Sequence, residues 1–140
     1  MTQPVNVTLE GISLEADAPE ETITSYGKGN FLPRDGKYYL SFQETGAEGP
    51  SSISHWFEIS PDAVRTTTKG PIRSGFHYRL GQVTKGEYET PMGIHPYELY
   101  TQSIHISAEE DSLTVTLEYA LTFPPEEPLH RRLRILAEMI

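Results

Sequence analysis

Apolar and polar residues alternate along most of the chain, which is the pattern of half-buried β-strands. The alternation is clearest from Leu113 to Phe123, where Leu, Val, Tyr and Phe occupy every second position. Segments with the same period extend from Val5 to Leu14, from Lys37 to Thr45 and from Ser52 to Ser60. The stretch from Phe76 to Thr101 predicts three more short strands, separated by glycines and prolines. These patterns predict an all-β protein.

Residues that favour turns separate the predicted strands. Asp35-Gly36 is typical of a tight hairpin, because both residues tolerate positive φ angles. Gly27 and Gly29 lie inside a predicted strand and indicate a bulge or a close approach of two backbones. Further turns or loops are predicted at residues 16–21, 46–50 and 124–128, which are rich in proline, glycine and acidic residues.

Many short strands with turns between them predict a β-sandwich or a barrel. We favour one domain over residues 1–140, folded as a closed antiparallel up-and-down barrel of about eight strands, since closure leaves no exposed edges. The C-terminal segment is ambiguous. Leu129, Leu133, Leu136 and Ile140 fit a helical stripe, whereas Leu133, Ile135, Ala137 and Met139 fit one face of a strand.

The composition limits the classes of chemistry. The chain has no cysteine, which excludes disulfides and thiolate chemistry, and its net charge of -9 disfavours binding to nucleic acid. The N-terminal residues have no basic flank or apolar run, and no segment is apolar enough for a membrane span. We therefore expect a cytoplasmic protein without membrane attachment.

No residue pattern indicates catalysis, a metal site or a cofactor. The five histidines are not spaced as metal ligands, and only His55 is in register with an apolar face. A Ser-His-Asp arrangement lacks the Gly-Xaa-Ser-Xaa-Gly turn that often presents the nucleophile. Glu87 and Glu89 should point to water if Tyr88 points inward, so a pair of catalytic carboxylates is disfavoured.

The aromatic residues are the main remaining signal, because many fall on faces that should point into the barrel. They either fill a solid core or line a cavity for a small ligand. For the cavity we predict an aromatic lining and a few polar contacts. The lining residues are Tyr38, Phe42, Tyr78, Tyr88 and Tyr119, and the polar contacts are Glu44, Thr90 and Thr101.

Several ordered motifs resemble the YwiB-like family of small bacterial proteins. The segment GKYYLSFQE from Gly36 to Glu44 is similar to the family's GKYYLSYEE strand. Three more segments match in order: Phe76-Xaa-Tyr78-Xaa-Xaa-Gly81, Tyr88-Glu-Thr-Pro-Met-Gly93 and Glu118-Tyr-Ala-Leu121. The resemblance implies a calycin-type (lipocalin-like) barrel with a last strand at about 129–136, and a family of unknown function. Lys69 and Phe42 depart from the family's usual Arg and Tyr.

Two functions from different classes follow. The first is a non-catalytic protein that binds a small, partly apolar ligand inside its barrel. The alternative is a protein-protein interaction module that presents a basic surface patch of Arg65, Lys69, Arg73 and Arg79 to an acidic partner. The sequence leaves open whether the chain forms a homodimer.

Overall fold

A computed structural model describes residues 2–15, 19–45 and 52–140, and these residues form ten β-strands. The strands are β1 (Gln3–Ser13), β2 (Thr22–Arg34), β3 (Lys37–Glu44), β4 (Ser54–Ser60), β5 (Ala63–Lys69), β6 (Arg73–Arg79), β7 (Val83–Thr90), β8 (Gly93–Ala108), β9 (Ser112–Thr122) and β10 (Leu129–Met139). Each strand pairs with the next in the chain, and β10 pairs with β1. The predicted closed antiparallel barrel is confirmed. It has ten strands rather than about eight, and all ten form part of the closed wall.

The barrel has two different ends. We call the mouth the end at which β1, β3, β5, β7 and β9 finish, and the base the opposite end. Apolar side chains pack the centre of the barrel, because alternate residues of every strand point inward. Fully buried members of this core are Val5, Val7, Leu40, Ile59, Val64, Leu99, Leu113, Val115, Leu117, Ile135 and Ala137.

The glycines of β2 and of the turn after it have the structural roles that the sequence predicts. Asp35 and Gly36 have φ angles of 54° and 76°, which are the positive values of a tight hairpin. A Cβ atom on Gly27 or Gly29 would overlap the backbone carbonyls of β3. The register between β2 and β3 runs without a shift. Of the two predicted explanations for these glycines, close approach of backbones is therefore correct.

The C-terminal segment is a strand, and the helical alternative is wrong. β10 pairs with β1 from Val5↔Met139 to Ser13↔Arg131, and with β9 along its other edge. Its buried residues Ile135 and Ala137 follow the two-residue period of a strand. The segment is needed to close the barrel, and pairing on both edges selects the strand over the helix.

The wall is weakest between β6 and β7. These strands pair only at Arg73↔Glu89 and Ser74↔Tyr88. Tyr97, on β8, passes beneath Gly86 and donates a hydrogen bond of 2.5 Å from its hydroxyl to the backbone carbonyl of Gly75 on β6. One side chain thus connects β8 to β6 across the poorly paired region.

Leu80, which alternation places with Phe76 and Tyr78 on the inner face, is exposed instead. The reason is that β6 ends at Arg79, and the chain then turns at Gly81, whose φ angle is 72°. The predicted loop at 46–50, and residues 16–18 of the predicted turn at 16–21, lie outside the described residues.

Candidate functional site

A cavity of about 310 Å³ lies at the mouth of the barrel. Its volume falls at the lower end of the range for small-molecule sites, ~300–1,000 Å³. A Cβ atom built on Gly11 would have no other heavy atom within 4 Å, so the inner face of β1 opens into free space here. The wall is mainly aromatic and aliphatic, with one cationic side chain. The lining residues are Gly11, Ile23, Phe76, Tyr88, Tyr119, Leu121, Phe123, Leu129 and Arg131.

Arg131 supplies the charge of this cavity. It lies near the start of β10, between its cross-strand neighbours Ser13 on β1 and Tyr119 on β9. Its Nη1 donates a hydrogen bond of 2.6 Å to Ser13 Oγ, which fixes one side of the guanidinium. The nearby Glu15 carboxylate accepts a hydrogen bond of 2.9 Å from the backbone N–H of His130. Among the described residues, no carboxylate forms a salt bridge with Arg131.

Tyr119 connects Arg131 to the buried core through Tyr78. The rings of Tyr78 and Tyr119 meet edge to face, with centroids 5.0 Å apart. Burial raises the pKa of Tyr78 well above its usual value, and the hydroxyl of Tyr119 raises it further. Burial also raises the pKa of Tyr119, whereas the neighbouring Tyr78 hydroxyl and the charge of Arg131 act to lower it.

A second polar group lies on the other side of the mouth. His55 Nε2 is 2.7 Å from Glu44 Oε2, and its Nδ1 is 3.1 Å from Thr68 Oγ1. The order acid, imidazole, hydroxyl resembles a nucleophile relay. However, the imidazole is only 8% exposed and is stacked on Phe42, with ring centroids 4.7 Å apart. The group therefore holds β3, β4 and β5 together rather than presenting the imidazole to a substrate.

The structure separates the aromatic residues that the sequence groups together. Tyr88 and Tyr119 line the mouth cavity. Phe42 and Tyr78 are buried in the core. Tyr38 lies at the base, where it lines a different cavity of about 360 Å³ with Ile59 and Ile104. The five residues therefore do not surround one site, because residues on the same face of a strand can lie at opposite ends of it.

The predicted polar contacts are also separated. Glu44 pairs with His55, as described above. Thr90 is at the tip of the β7–β8 hairpin, where its Oγ1 accepts a hydrogen bond of 3.1 Å from the Met92 N–H. Thr101 is fully buried on β8, and its hydroxyl has no hydrogen-bond partner among the described residues. None of the three lines the mouth cavity.

Sequence reasoning missed Arg131 and Gly11 as site residues. A signal for Arg131 exists, because stepping back two residues at a time from Ile135 through Leu133 reaches Arg131 on the same face. The charge of Arg131, however, is typical of a surface residue. The same stepping from Val7 through Leu9 reaches Gly11, but only the structure shows that space lies beside it.

The four residues of the predicted basic patch lie on β5 and β6. Arg65 is the cross-strand neighbour of both Glu58 and His77. Burial lowers the pKa of His77, as do the charges of Arg65 and Arg79, so these cations are close together. Nearer the mouth, Arg73 is opposite Glu89, and Lys69 lies 5.5 Å from the centroid of the Trp56 ring. Carboxylates on β4 and β7 thus border the patch.

Within residues 2–15, 19–45 and 52–140, no cluster of three or more histidine, aspartate or glutamate side chains could hold a metal ion. In that same part of the chain, no helix has the length and apolar character needed to cross a membrane.

The fold and the mouth place the chain among closed ten-stranded antiparallel barrels with an aromatic, partly polar end. It belongs to the family described as "Domain of unknown function (DUF1934)", which matches residues 7–135. Its structure is similar to the crystal structure of the ywiB protein from Bacillus subtilis, with a TM-score of 0.83 and 18% sequence identity over 99% of this chain and 93% of that chain. No curated protein matches the chain. The YwiB-like resemblance is thereby confirmed, and at this identity it concerns the fold alone.

Proposed function

We propose that this protein is a non-catalytic barrel that binds a small, partly apolar ligand in its mouth cavity. The observation that carries the proposal is the cavity itself, which combines a volume of about 310 Å³ with an aromatic wall and one inward arginine. Apolar walls with a few placed polar groups are typical of small-molecule sites. Apolar side chains fill the centre of the barrel below this cavity, so the ligand enters from the mouth.

The arrangement of polar groups supports binding rather than catalysis. General acid–base chemistry needs a titratable group within hydrogen-bond reach of the substrate. His55 is nearly enclosed between its neighbours. Of the side chains that do line the cavity, Tyr119 is kept neutral because burial raises its pKa, and Arg131 provides a guanidinium, which suits binding of an anion.

A substitution that fills the cavity tests the proposal. Gly11→Phe adds a ring where the structure has free space, so the barrel should fold and the site should close. Ile12→Phe is the matched control, because it adds an aromatic ring at the next position of β1, on the outer face. Binding is measured by the fluorescence of N-phenylnaphthylamine, an uncharged apolar probe, and folding by circular dichroism.

We expect saturable binding of the probe to the unmodified protein and to Ile12→Phe. Gly11→Phe should bind at least about tenfold more weakly while keeping its β-sheet spectrum, since tenfold needs a loss of only ~1.4 kcal/mol. The proposal fails if the unmodified protein binds no probe. It also fails if folded Gly11→Phe binds as tightly as the control.

A basic surface patch remains the second candidate, favoured by the closeness of Arg65, His77 and Arg79 on the outer wall. Arg65 also lines a cavity of about 280 Å³ beside Trp56. A pull-down with the double variant Arg73→Glu and Arg79→Glu tests it. Loss of a partner held by the unmodified protein would favour the patch, and unchanged capture would count against it.

A further inference from the structure

We infer that the ligand of the mouth cavity is an amphipathic monocarboxylate, whose carboxylate contacts Arg131 and Tyr119 and whose apolar part lies against Phe76, Tyr88 and Phe123. This inference rests on the proposed function and goes further by naming the chemical class of the ligand. It comes from the juxtaposition of one cation, one hydroxyl donor and an apolar wall in a single cavity.

Arg131 has hydrogen-bond donors to spare. A guanidinium carries five N–H groups, and a planar pair of them matches the two oxygens of a carboxylate. Ser13 accepts one of these hydrogen bonds, at 2.6 Å. The carboxylate of Glu15 is directed to the backbone N–H of His130. Within the described part of the chain Arg131 has no anionic partner, so an anion from outside the chain can supply it.

Tyr119 offers the second donor. Its ring is the cross-strand neighbour of Arg131, and both side chains line the cavity. Its hydroxyl stays protonated because burial raises its pKa, so its O–H can donate a hydrogen bond to a ligand in the cavity. An arginine and a neutral tyrosine side by side present positive charge and a hydroxyl proton to the same acceptor group, which suits a carboxylate.

The charge of the site favours a monoanion over a dianion. Arg131 is the one cationic side chain among the lining residues. A phosphate monoester carries close to two negative charges, and the second would be poorly compensated in a partly buried, apolar cavity. The rest of the wall provides aromatic and aliphatic surface, which matches a hydrocarbon portion of the ligand rather than a second polar group.

The test compares three eight-carbon amphiphiles that share one chain and differ in the head group: octanoate, octanol and octyl phosphate. Each is titrated into the full-length protein against bound N-phenylnaphthylamine, and the displacement gives its affinity. Three proteins are used: the unmodified chain, Arg131→Gln and Arg134→Gln. Arg134 is the matched control, because it is on the same strand with its side chain exposed on the outer face.

In the unmodified protein and in Arg134→Gln, octanoate should bind at least about tenfold more tightly than octanol, since a hydrogen bond between charged groups is stronger than one to a neutral hydroxyl. Octyl phosphate should bind more weakly than octanoate. In Arg131→Gln the preference for octanoate should disappear while octanol still displaces the probe.

The possible negative results distinguish a failure of the proposed function from a failure of the carboxylate inference. If no amphiphile and no probe binds, the proposed function itself is wrong. If octanol and octanoate bind equally in the unmodified protein, or if Arg131→Gln keeps the preference, the cavity binds apolar molecules but the carboxylate inference is overturned. Tighter binding of octyl phosphate than of octanoate would also overturn it, in favour of a phosphate head group.

Discussion

The hydrogen bond between Tyr97 and Gly75 should stabilise the weakest part of the wall. β6 and β7 share only two paired positions, and the Tyr97 hydroxyl reaches the Gly75 carbonyl across them at 2.5 Å. The Tyr97 ring is only 4% exposed and packs on Phe76, with centroids 4.8 Å apart. Tyr97→Phe removes the hydroxyl and keeps the ring in place, so it isolates the contribution of this hydrogen bond.

The size of the effect follows from the surroundings of the carbonyl. A typical hydrogen bond contributes ~0.5–1.5 kcal/mol, and an enclosed acceptor left without a partner costs ~1–3 kcal/mol. Gly75 is exposed, so water can replace the lost donor. We therefore expect Tyr97→Phe to lower the free energy of unfolding by about 1 kcal/mol, which corresponds to roughly 4 °C in Tm for a chain of this length.

Urea unfolding followed by circular dichroism measures this change. Tyr100→Phe is the control, since Tyr100 is on the same strand with an exposed ring, and it should stay within about 0.5 kcal/mol of the unmodified protein. Amide hydrogen exchange in β6 should become faster in Tyr97→Phe only. A Tyr97→Phe variant as stable as the control, with unchanged exchange in β6, would refute the reasoning.

Three further substitutions test other parts of the structure. Thr101→Val should raise the free energy of unfolding by about 1 kcal/mol in urea, because it removes an unpartnered buried hydroxyl; a loss of stability would mean that the hydroxyl is hydrogen-bonded. Gly29→Ala should cost more than about 3 kcal/mol and lower the yield of folded protein, because its Cβ would overlap the Ser41 carbonyl; a native Tm would contradict the close approach of β2 and β3. Burial raises the pKa of Tyr78 in the folded protein. The stabilisation that Tyr78 gives the folded state is therefore present below pH ~10 and is lost at higher pH, because the tyrosine ionises first in the unfolded chain. Above that pH, the free energy of unfolding of Tyr78→Phe should fall by about 1.4 kcal/mol less per pH unit than that of the unmodified protein. If the free energies of unfolding of the two proteins fell in parallel with pH, the raised pKa of Tyr78 would be contradicted.

The architecture could be predicted from the sequence because it depends on local patterns. Alternation placed Leu113 and Val115 inside the barrel, and Asp35-Gly36 marked a hairpin that forms with both φ angles positive. The C-terminal segment could not be assigned from its own periodicity. Its conformation is decided by pairing with β1 and β9, which is information from distant parts of the chain.

The candidate site was harder to predict, for a physical reason. Alternation shows which face a residue occupies, but not its height along the barrel axis, so Tyr38 and Tyr88 were grouped although they lie at opposite ends. Charge was a poor guide for Arg131, because an arginine can face inward where the interior widens to a mouth. Gly11 gave no signal, since an absent side chain indicates a cavity only when its neighbours are known.

The central claim, that the mouth cavity holds a small ligand, is tested most directly by native mass spectrometry. The protein is purified gently and measured before and after extraction with organic solvent, and again after incubation with octanoate; Gly11→Phe is measured in parallel. We expect one discrete added mass per chain in the unmodified protein, which extraction removes and octanoate replaces, and none in Gly11→Phe. A bare mass in all three states of the unmodified protein, or an added mass that persists in folded Gly11→Phe, would contradict it.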